Sequence, residues 1–482
     1  MSTTSGRVER SRTALAVTVT AATIGVIYGY DTGVIAGALL FIPKEFNLST
    51  SETSSIATAV ALGMIVGALA AGRVADRLGR RVTMIAISAG YVVFAALSAF
   101  AQSLAWLDGA RFLLGVTIGL SLVVAPVFIA ESSPAAIRGS LLVSYQVATV
   151  AGIMLAYFVS YALASSGEWR WMLGVSAFPA AIVGLLVYRL PDSPRWYVMK
   201  GRRREARETL ERVDPDADLD SELTKIEEAL AAERGGRISD MARSPYARAT
   251  IFVVALGFLV QITGINAIVY FTPLIFQKVG LTGNVALLLV PGLIQLTALF
   301  ATLAALRLVD RIGRRLVLLI GIGSMMVANA LMIAVFAVGL SGGVKWLAFL
   351  GVLLFTCGFD FGFGAMVWVY ASESFPGRLR SAGASAMLSA DLIGNLLIAQ
   401  FFLGVLGSIG GVATFSMFLV LAAVSFVFVF VLAPETRGRP LEAIRLYWEN
   451  GGHWPEPAAG EVGSVETVGR PAASDRPQSR RS

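Results

Sequence analysis

Runs of about 20 apolar residues recur through this chain, and few folds can use them. Twelve can be counted, centred near residues 26, 64, 92, 118, 151, 180, 260, 296, 326, 358, 393 and 422. A soluble protein cannot bury so much unbroken apolar helix, because almost no polar face is left over to meet water. Only 15% of the 482 residues are charged, against 56% that are hydrophobic. The pattern predicts an all-α membrane protein with twelve transmembrane helices.

Charge placement then sets the topology. Arg73, Arg77, Arg80, Arg81, Arg138, Arg307, Arg311, Arg314, Arg315, Arg378 and Arg380 fall in one alternate set of short loops. The opposite set carries only Lys44, Arg170, Lys278 and Lys345. Basic residues concentrate on the cytoplasmic side, so both termini are expected there, in a cell (inner or plasma) membrane. The net charge of +7 therefore reads as topology and not as a nucleic-acid surface. The opening "MSTTSGRVERSR" leads into an apolar run too long for a secretory signal, and that run is expected to be the first span.

A single cysteine, Cys357, excludes an internal disulfide and a multi-cysteine metal site. One histidine, His453, leaves no Ser-His-Asp triad or zinc centre to build. There is no G-x-x-x-x-G-K-[ST] loop, and "GIGSMM" (321–326) is a span segment. No enzyme, metal or cofactor is expected.

The chain divides into a tail (1–12), a six-helix half (13–192), a charged stretch (193–248), a second six-helix half (249–434) and a terminal segment (435–482). Residues 193–248 read as short amphipathic cytoplasmic helices, with Leu223, Ile226 and Leu230 at helical spacing on a face that packs on the membrane domain. Beyond about residue 451 the chain is rich in Pro, Gly, Ser and charge, and disorder is expected. The halves repeat each other. "DRLGRR" (76–81) returns as "DRIGRR" (310–315), and "ESSPAAIR" (131–138) returns as "ESFPGRLR" (373–380), each after the corresponding span. Such repeats imply a duplicated six-helix unit around a central cavity.

One carboxylate stands apart. Asp31 is the only charged residue between Thr13 and Ile42. An unpaired carboxylate in a bilayer costs several kcal/mol, so Asp31 must be paired, protonated or wet. Arg111 in the fourth span lies at a similar depth, if the first span rises and the fourth descends.

At this point the sequence resembles the major facilitator superfamily and, within it, the sugar porter family. The resemblance covers residues 14–450 and rests on "GRVADRLGRR" (72–81), "RFLLGVTIGL" (111–120), "PVFIAESSPAAIRG" (126–139), "PDSPRW" (191–196), "QITGINAIVYF" (261–271) and "APETRGRPLEAI" (433–444), in the family's order. It implies a secondary transporter importing a monosaccharide or polyol (hexose, pentose or inositol) with a proton by alternating access, working as a monomer. Asp31 would then be the proton acceptor, modulated by Arg111. An arginine favours the charged carboxylate and loss of water favours the neutral one, so a site whose surroundings alternate can load a proton outside and release it inside. A static ion pair that fixes helix packing is the structural alternative.

The same resemblance places Tyr28, Gln146, Gln261, Asn266, Trp368 and Asn395 at the sugar. Neutral amides suit hydroxyls, and an indole suits a C–H face. The loop repeats would form a cytoplasmic gate of Asp76, Arg80, Glu131 and Arg138 with Asp310, Arg314, Glu373 and Arg380, joining the halves and breaking on reorientation. Three departures stand out. Val260 replaces the first of two glutamines. "GAMVW" (364–368) lacks the family's proline, so a straighter tenth span is expected. Asp391 and Leu392 replace an amide and an indole. Asp391 can accept two hydrogen bonds from vicinal hydroxyls, pair with a cationic substrate, or hold a second proton. Asp360, a further acid in the tenth span, either faces the lumen or packs on a helix. The rival functions are a facilitative carrier, a carrier of a cationic or aromatic metabolite, and a membrane sugar sensor.

Overall fold

The computed structural model describes residues 3–133, 138–213, 218–233, 238–339, 344–439 and 441–454, and they form helices without a single strand. Inside lipid each backbone N–H and C=O must find a partner within its own segment, and only a helix provides one for every residue. The first span lies in Thr3–Ala38. Eleven more helices are long and apolar enough to cross a bilayer: Thr50–Leu78, Arg80–Ala99, Leu104–Glu131, Ser144–Leu163, Trp169–Tyr188, Ala247–Lys278, Val285–Ile312, Arg314–Val338, Trp346–Glu373, Leu379–Ser408 and Gly410–Leu432. They are numbered here as spans 2 to 12.

The duplication seen in the loop motifs holds in the packing. In the first half span 1 packs on span 5, span 2 on span 4, span 3 on span 4, and span 3 on span 6. In the second half span 7 packs on span 11, span 8 on span 10, span 9 on span 10, and span 9 on span 12. The two arrangements correspond element for element. The halves meet where span 2 lies along span 11 and span 5 along span 8.

Glycine decides how closely the first half packs. A Cβ at Gly29 would lie 1.9 Å from the Thr149 carbonyl oxygen, and one at Gly25 2.5 Å from that of Tyr145. Gly33 and Gly37 continue the stripe along span 5, against Ile153 and Ser160. Spans 2 and 4 are joined the same way through Gly63, Gly67, Gly115 and Gly119. Lipid tails are as apolar as leucine, so helices in a bilayer associate through such close backbone approach. The stripe also orients the site. Asp31 follows Gly29 by two residues, about 200° further round the helix, so seating the glycines on span 5 turns Asp31 to the opposite side.

Large apolar side chains that would be a liability in water cover the outer surface, among them Leu69, Phe178, Leu185, Ile251, Phe300 and Val431. They face lipid.

Two spans are broken near their middle. Span 7 runs Ala247–Ile262 and resumes at Ile265, with Gly264 left-handed at φ 106° between them. Span 10 stops at Phe361 and restarts at Phe363. Span 10 is thus interrupted without a proline, and the backbone bonds Gly362 N–H to Gly358 and Met366 N–H to Gly362 carry the helix across, at 3.0 and 3.1 Å. Gly358 and Gly362 close onto the backbone of Gly321 in span 9, and the break falls within that glycine-rich contact.

The stretch after span 6 forms helices Pro194–Met199, Arg203–Val213 and Leu219–Glu233, then a short 3-10 turn, Ile238–Ala242. Arg203–Val213 touches the helix Thr3–Ala38 and Leu219–Glu233 touches the helix that holds span 11, so the linker reaches helices of both halves. Leu223 buries against Ala206 and Leu210 inside the linker. Past Leu441–Glu449 the chain turns back, and Trp454 packs on Tyr447 with ring centroids 4.6 Å apart. The rest of the segment expected to be disordered, 455–482, lies outside the described residues.

A surface latch joins the short helix Ile42–Glu45 to the start of span 6. Arg170 grips Glu45 with both terminal nitrogens, at 2.7 and 3.1 Å, and the Trp169 indole donates to Glu45 at 2.6 Å. The Arg170 hydrogen bond comes first among the interactions that hold the Glu45 carboxyl below its ordinary range. A lowered folded pKa gives stability that is present above the unfolded value and lost as pH falls through the folded one. The latch should therefore hold through the ordinary glutamate range, near pH 4.5, and open only below it. Trp169 fluorescence followed against pH reads this, and Glu45→Gln should abolish the transition.

Candidate functional site

Asp31 and Arg111 form a buried ion pair, with Arg111 Nη1 donating to Asp31 Oδ1 at 2.8 Å. The two residues are 3% and 2% exposed, a depth at which each would be costly alone. Beside them is a cavity of about 10 Å³, lined by Tyr28, Asp31, Thr32, Ile35, Ala57, Val60, Met64, Arg111, Ile118 and Tyr270. That is room for roughly one water. Tyr270, which follows the break in span 7, belongs to the other half, so the pair lies at the seam.

The predicted amides of the second half gather there as well. Asn266 Nδ2 donates to Asn395 Oδ1 at 2.7 Å and to Gln261 Oε1 at 2.9 Å. Tyr270 donates to the same Asn395 oxygen at 3.4 Å. Gly264 places Gln261 and Asn266 on either side of the helix break, which lets residues five apart in sequence meet. Asp391, one helical turn from Asn395, interacts with Gln261 and lies within electrostatic range of Tyr28. Tyr270 thus stands between both groups: it lines the cavity beside the ion pair, and it bonds the amides through Asn395.

The remaining predicted residues lie nearby. Both Asp360 Oδ1 and Gln146 Nε2 approach the open side of Gly364, at 3.3 and 3.6 Å from the position of a Cβ there. Gln146 belongs to the first half and Asp360 to the second, so Asp360 faces the space between them. Trp368 follows Gly364 by one turn on the same face and is 43% exposed. All seven predicted substrate residues therefore lie on surfaces turned toward the seam.

At the loop repeats, Arg80 donates to Glu131 at 3.1 Å and to Asp76 at 3.0 Å, and Glu131 also accepts from Ser193 at 2.6 Å. In the second copy Arg314 pairs with Asp310 at 3.0 Å. These bonds stay within their own halves. Glu373 Oε2 and Arg380 Nε are buried without a hydrogen-bond partner among the described residues, and the side chain of Arg138 lies outside them. In this conformation the described contacts between halves lie nearer the opposite ends of the spans. There the Tyr157 hydroxyl donates to the Val269 carbonyl at 2.8 Å, and Phe158 covers Gly292.

Two residues missed in the sequence complete the loop clusters. Asp192 accepts from the Arg80 backbone N–H at 2.9 Å. Glu435 accepts from those of Arg314 and Arg315, at 3.0 and 3.2 Å. Each carboxylate thus meets the free N–H groups at the start of span 3 or span 9, where the helix dipole favours negative charge. The preceding glycines, Gly79 and Gly313, have φ of 94° and 96°, and a Cβ on either would strike that carboxylate. The signal was available: each half ends in Pro followed by an acid, Pro191-Asp192 and Pro434-Glu435.

Comparisons with known proteins bear on the family and the fold. A family model described as "Sugar (and other) transporter" matches residues 17–448. The arabinose-proton symporter of Escherichia coli K12 is 34% identical over 435 residues, covering 89% of this chain and 92% of the relative. The galactose-proton symporter of the same strain is 33% identical, covering 88% and 92%. Among solved structures, the major facilitator superfamily proton:xylose symporter XylE bound to 6-bromo-6-deoxy-D-glucose has the same fold. It matches with TM-score 0.77 at 24% identity, over 91% of this chain and all of that one.

Proposed function

Because the chain belongs to the sugar (and other) transporter family, we propose that it imports a monosaccharide or polyol together with a proton, by alternating access. The observation that carries this reading is the Asp31–Arg111 pair beside Tyr270, which itself bonds the amide cluster. Asp31 takes the proton, Arg111 modulates it, and Tyr270 lies between proton site and substrate site. Tyr28, Gln146, Gln261, Asn266, Trp368, Asp391 and Asn395 hold the substrate. Their amides match hydroxyl donors and acceptors, and the exposed indole of Trp368 offers an apolar face.

In this reading both termini are cytoplasmic, the protein acts as a monomer in the cell membrane, and the conformation described is closed at its outer end. Inward closure brings the loop clusters of the two halves together. Arg80, Glu131, Asp76, Asp310, Arg314, Glu373, Arg380 and Arg138 supply the charges for that closure. The orphaned Glu373 and Arg380 atoms are the ones it would satisfy.

One observation favours a second reading, transport of a cationic metabolite. Asp360 and Asp391 face the seam, and neither forms an ion pair among the described residues. One experiment tests the first reading and separates it from the second. Hexoses, pentoses, inositols and amino sugars are added in turn to lightly buffered cells expressing the protein, and external pH is followed. Alkalinisation with a neutral sugar or inositol is expected. A response confined to amino sugars would select the second reading, and uptake without a pH change would leave a facilitative carrier.

A further inference from the structure

Arg111 has a second carboxylate within reach. Asp108 precedes it by three residues on span 4, and residues so spaced are neighbours on a helix surface. The two groups show complementary deficits. Arg111 Nη1 is used by Asp31, but its Nε is buried without an acceptor among the described residues. Asp108 Oδ2 accepts from the Ser55 hydroxyl at 2.8 Å, but its Oδ1 is buried without a donor among them. Helical side chains lean toward the N-terminus, which carries the Arg111 guanidinium back over the turn that holds Asp108. The two already interact electrostatically.

We propose that Asp108 is a positioning residue for proton coupling: it takes over as counter-ion of Arg111 when Asp31 binds a proton. The inference rests on the proposed role of Asp31. Protonating Asp31 removes the charge that pairs with a guanidinium 2% exposed. Arginine cannot respond by losing its own proton. A buried cation left alone is strongly unfavourable, and that cost would oppose proton loading. A carboxylate one turn away removes it by a side-chain rotation. The external proton joins a carboxylate oxygen of Asp31, Arg111 stays a guanidinium, and Asp108 stays ionised. When Asp31 releases its proton to the other side, Arg111 returns to it. The groups facing this exchange are Asp31 and Tyr28 from span 1, Tyr270 from span 7 and Asp108 from span 4 itself. Tyr30 and Tyr91 complete the surroundings of Asp31.

The alternative is that Asp108 merely ties span 4 to span 2 through Ser55. Asp108→Asn separates the two, because it keeps an acceptor for Ser55 and removes the charge. Infrared difference spectra of the purified protein in proteoliposomes, recorded against pH without substrate, read the protonated carboxyl band. The band missing in Asp31→Asn belongs to Asp31. In Asp108→Asn its midpoint should move about one unit toward acid, a tenfold weaker hold on the proton. Asp108→Glu should restore it in part, and Ser55→Ala should leave it in place. Should Asp108→Asn not fold, Asp108→Ser is read in the same way. An unmoved midpoint in the neutral variant overturns the proposal, as does an equal shift in Ser55→Ala. If Asp31→Asn removes no titrating band, the proton role of Asp31 fails first and Asp108 loses its part with it.

Discussion

Asp31→Asn should abolish accumulation of substrate while leaving its exchange across the membrane. The side chain keeps its size and a hydrogen-bonding oxygen toward Arg111, at 2.8 Å in the native pair, but it can no longer alternate between charged and neutral forms. The amide resembles the protonated carboxyl, so the carrier is held in its loaded state and moves substrate only down its gradient. A 1:1 symporter can accumulate about tenfold for each unit of pH difference, since one unit corresponds to about 1.4 kcal/mol. The variant should accumulate none. Removing Arg111 instead acts through stability. Breaking a buried pair by deleting one partner typically costs about 3–5 kcal/mol, so Arg111→Leu should lower the folded yield as well. A static ion pair predicts a different pattern, in which both substitutions lower stability and neither separates exchange from accumulation.

Gly29→Val should cost the protein its fold. Its Cβ would meet the Thr149 carbonyl oxygen at 1.9 Å and the carbonyl carbon at 2.7 Å. Both are backbone atoms of a helix, so neither can rotate away as a side chain would. Overpacking in a core commonly costs about 1–3 kcal/mol, and a clash of this depth forces spans 1 and 5 apart instead. Asp31 would then leave Arg111, because the glycine face sets the angle at which span 1 presents it. Gly72→Ala is the control, since a Cβ there meets nothing within 4 Å and alanine favours the helix by up to about 1 kcal/mol. Thermal unfolding in detergent should show a large loss for the first and no loss for the second. Equal tolerance would mean that the close approach of spans 1 and 5 does not hold the half together.

The spans were legible because lipid demands long apolar helices, a demand written residue by residue. Asp31 was legible for the same reason: a lone carboxylate among 30 or so apolar residues needs a partner, and Arg111 was the one cation at matching depth. Other features hid behind that hydropathy. The stripe Gly25, Gly29, Gly33 and Gly37 brackets Asp31 at four-residue spacing, but glycines within an apolar run do not show which helix they meet. The breaks at Gly264 and Gly362 do not interrupt the apolar runs, so composition shows one continuous helix in each. Asp192 and Glu435 stood at equivalent places after the last span of each half, but only the fold shows their target, the helix start behind Gly79 or Gly313. Asp108 lies so close to the start of span 4 that its distance from Arg111 mattered only once both showed unsatisfied atoms.

Coupling itself is tested most directly with purified protein in proteoliposomes at zero membrane potential, with the interior one pH unit more alkaline. The substrate is whichever compound gave alkalinisation in cells, and its internal concentration is read at steady state. One proton per substrate predicts accumulation approaching tenfold, absent when the pH is equal on both sides. Substrate that equilibrates to the same concentration inside and out under the imposed gradient would contradict the account.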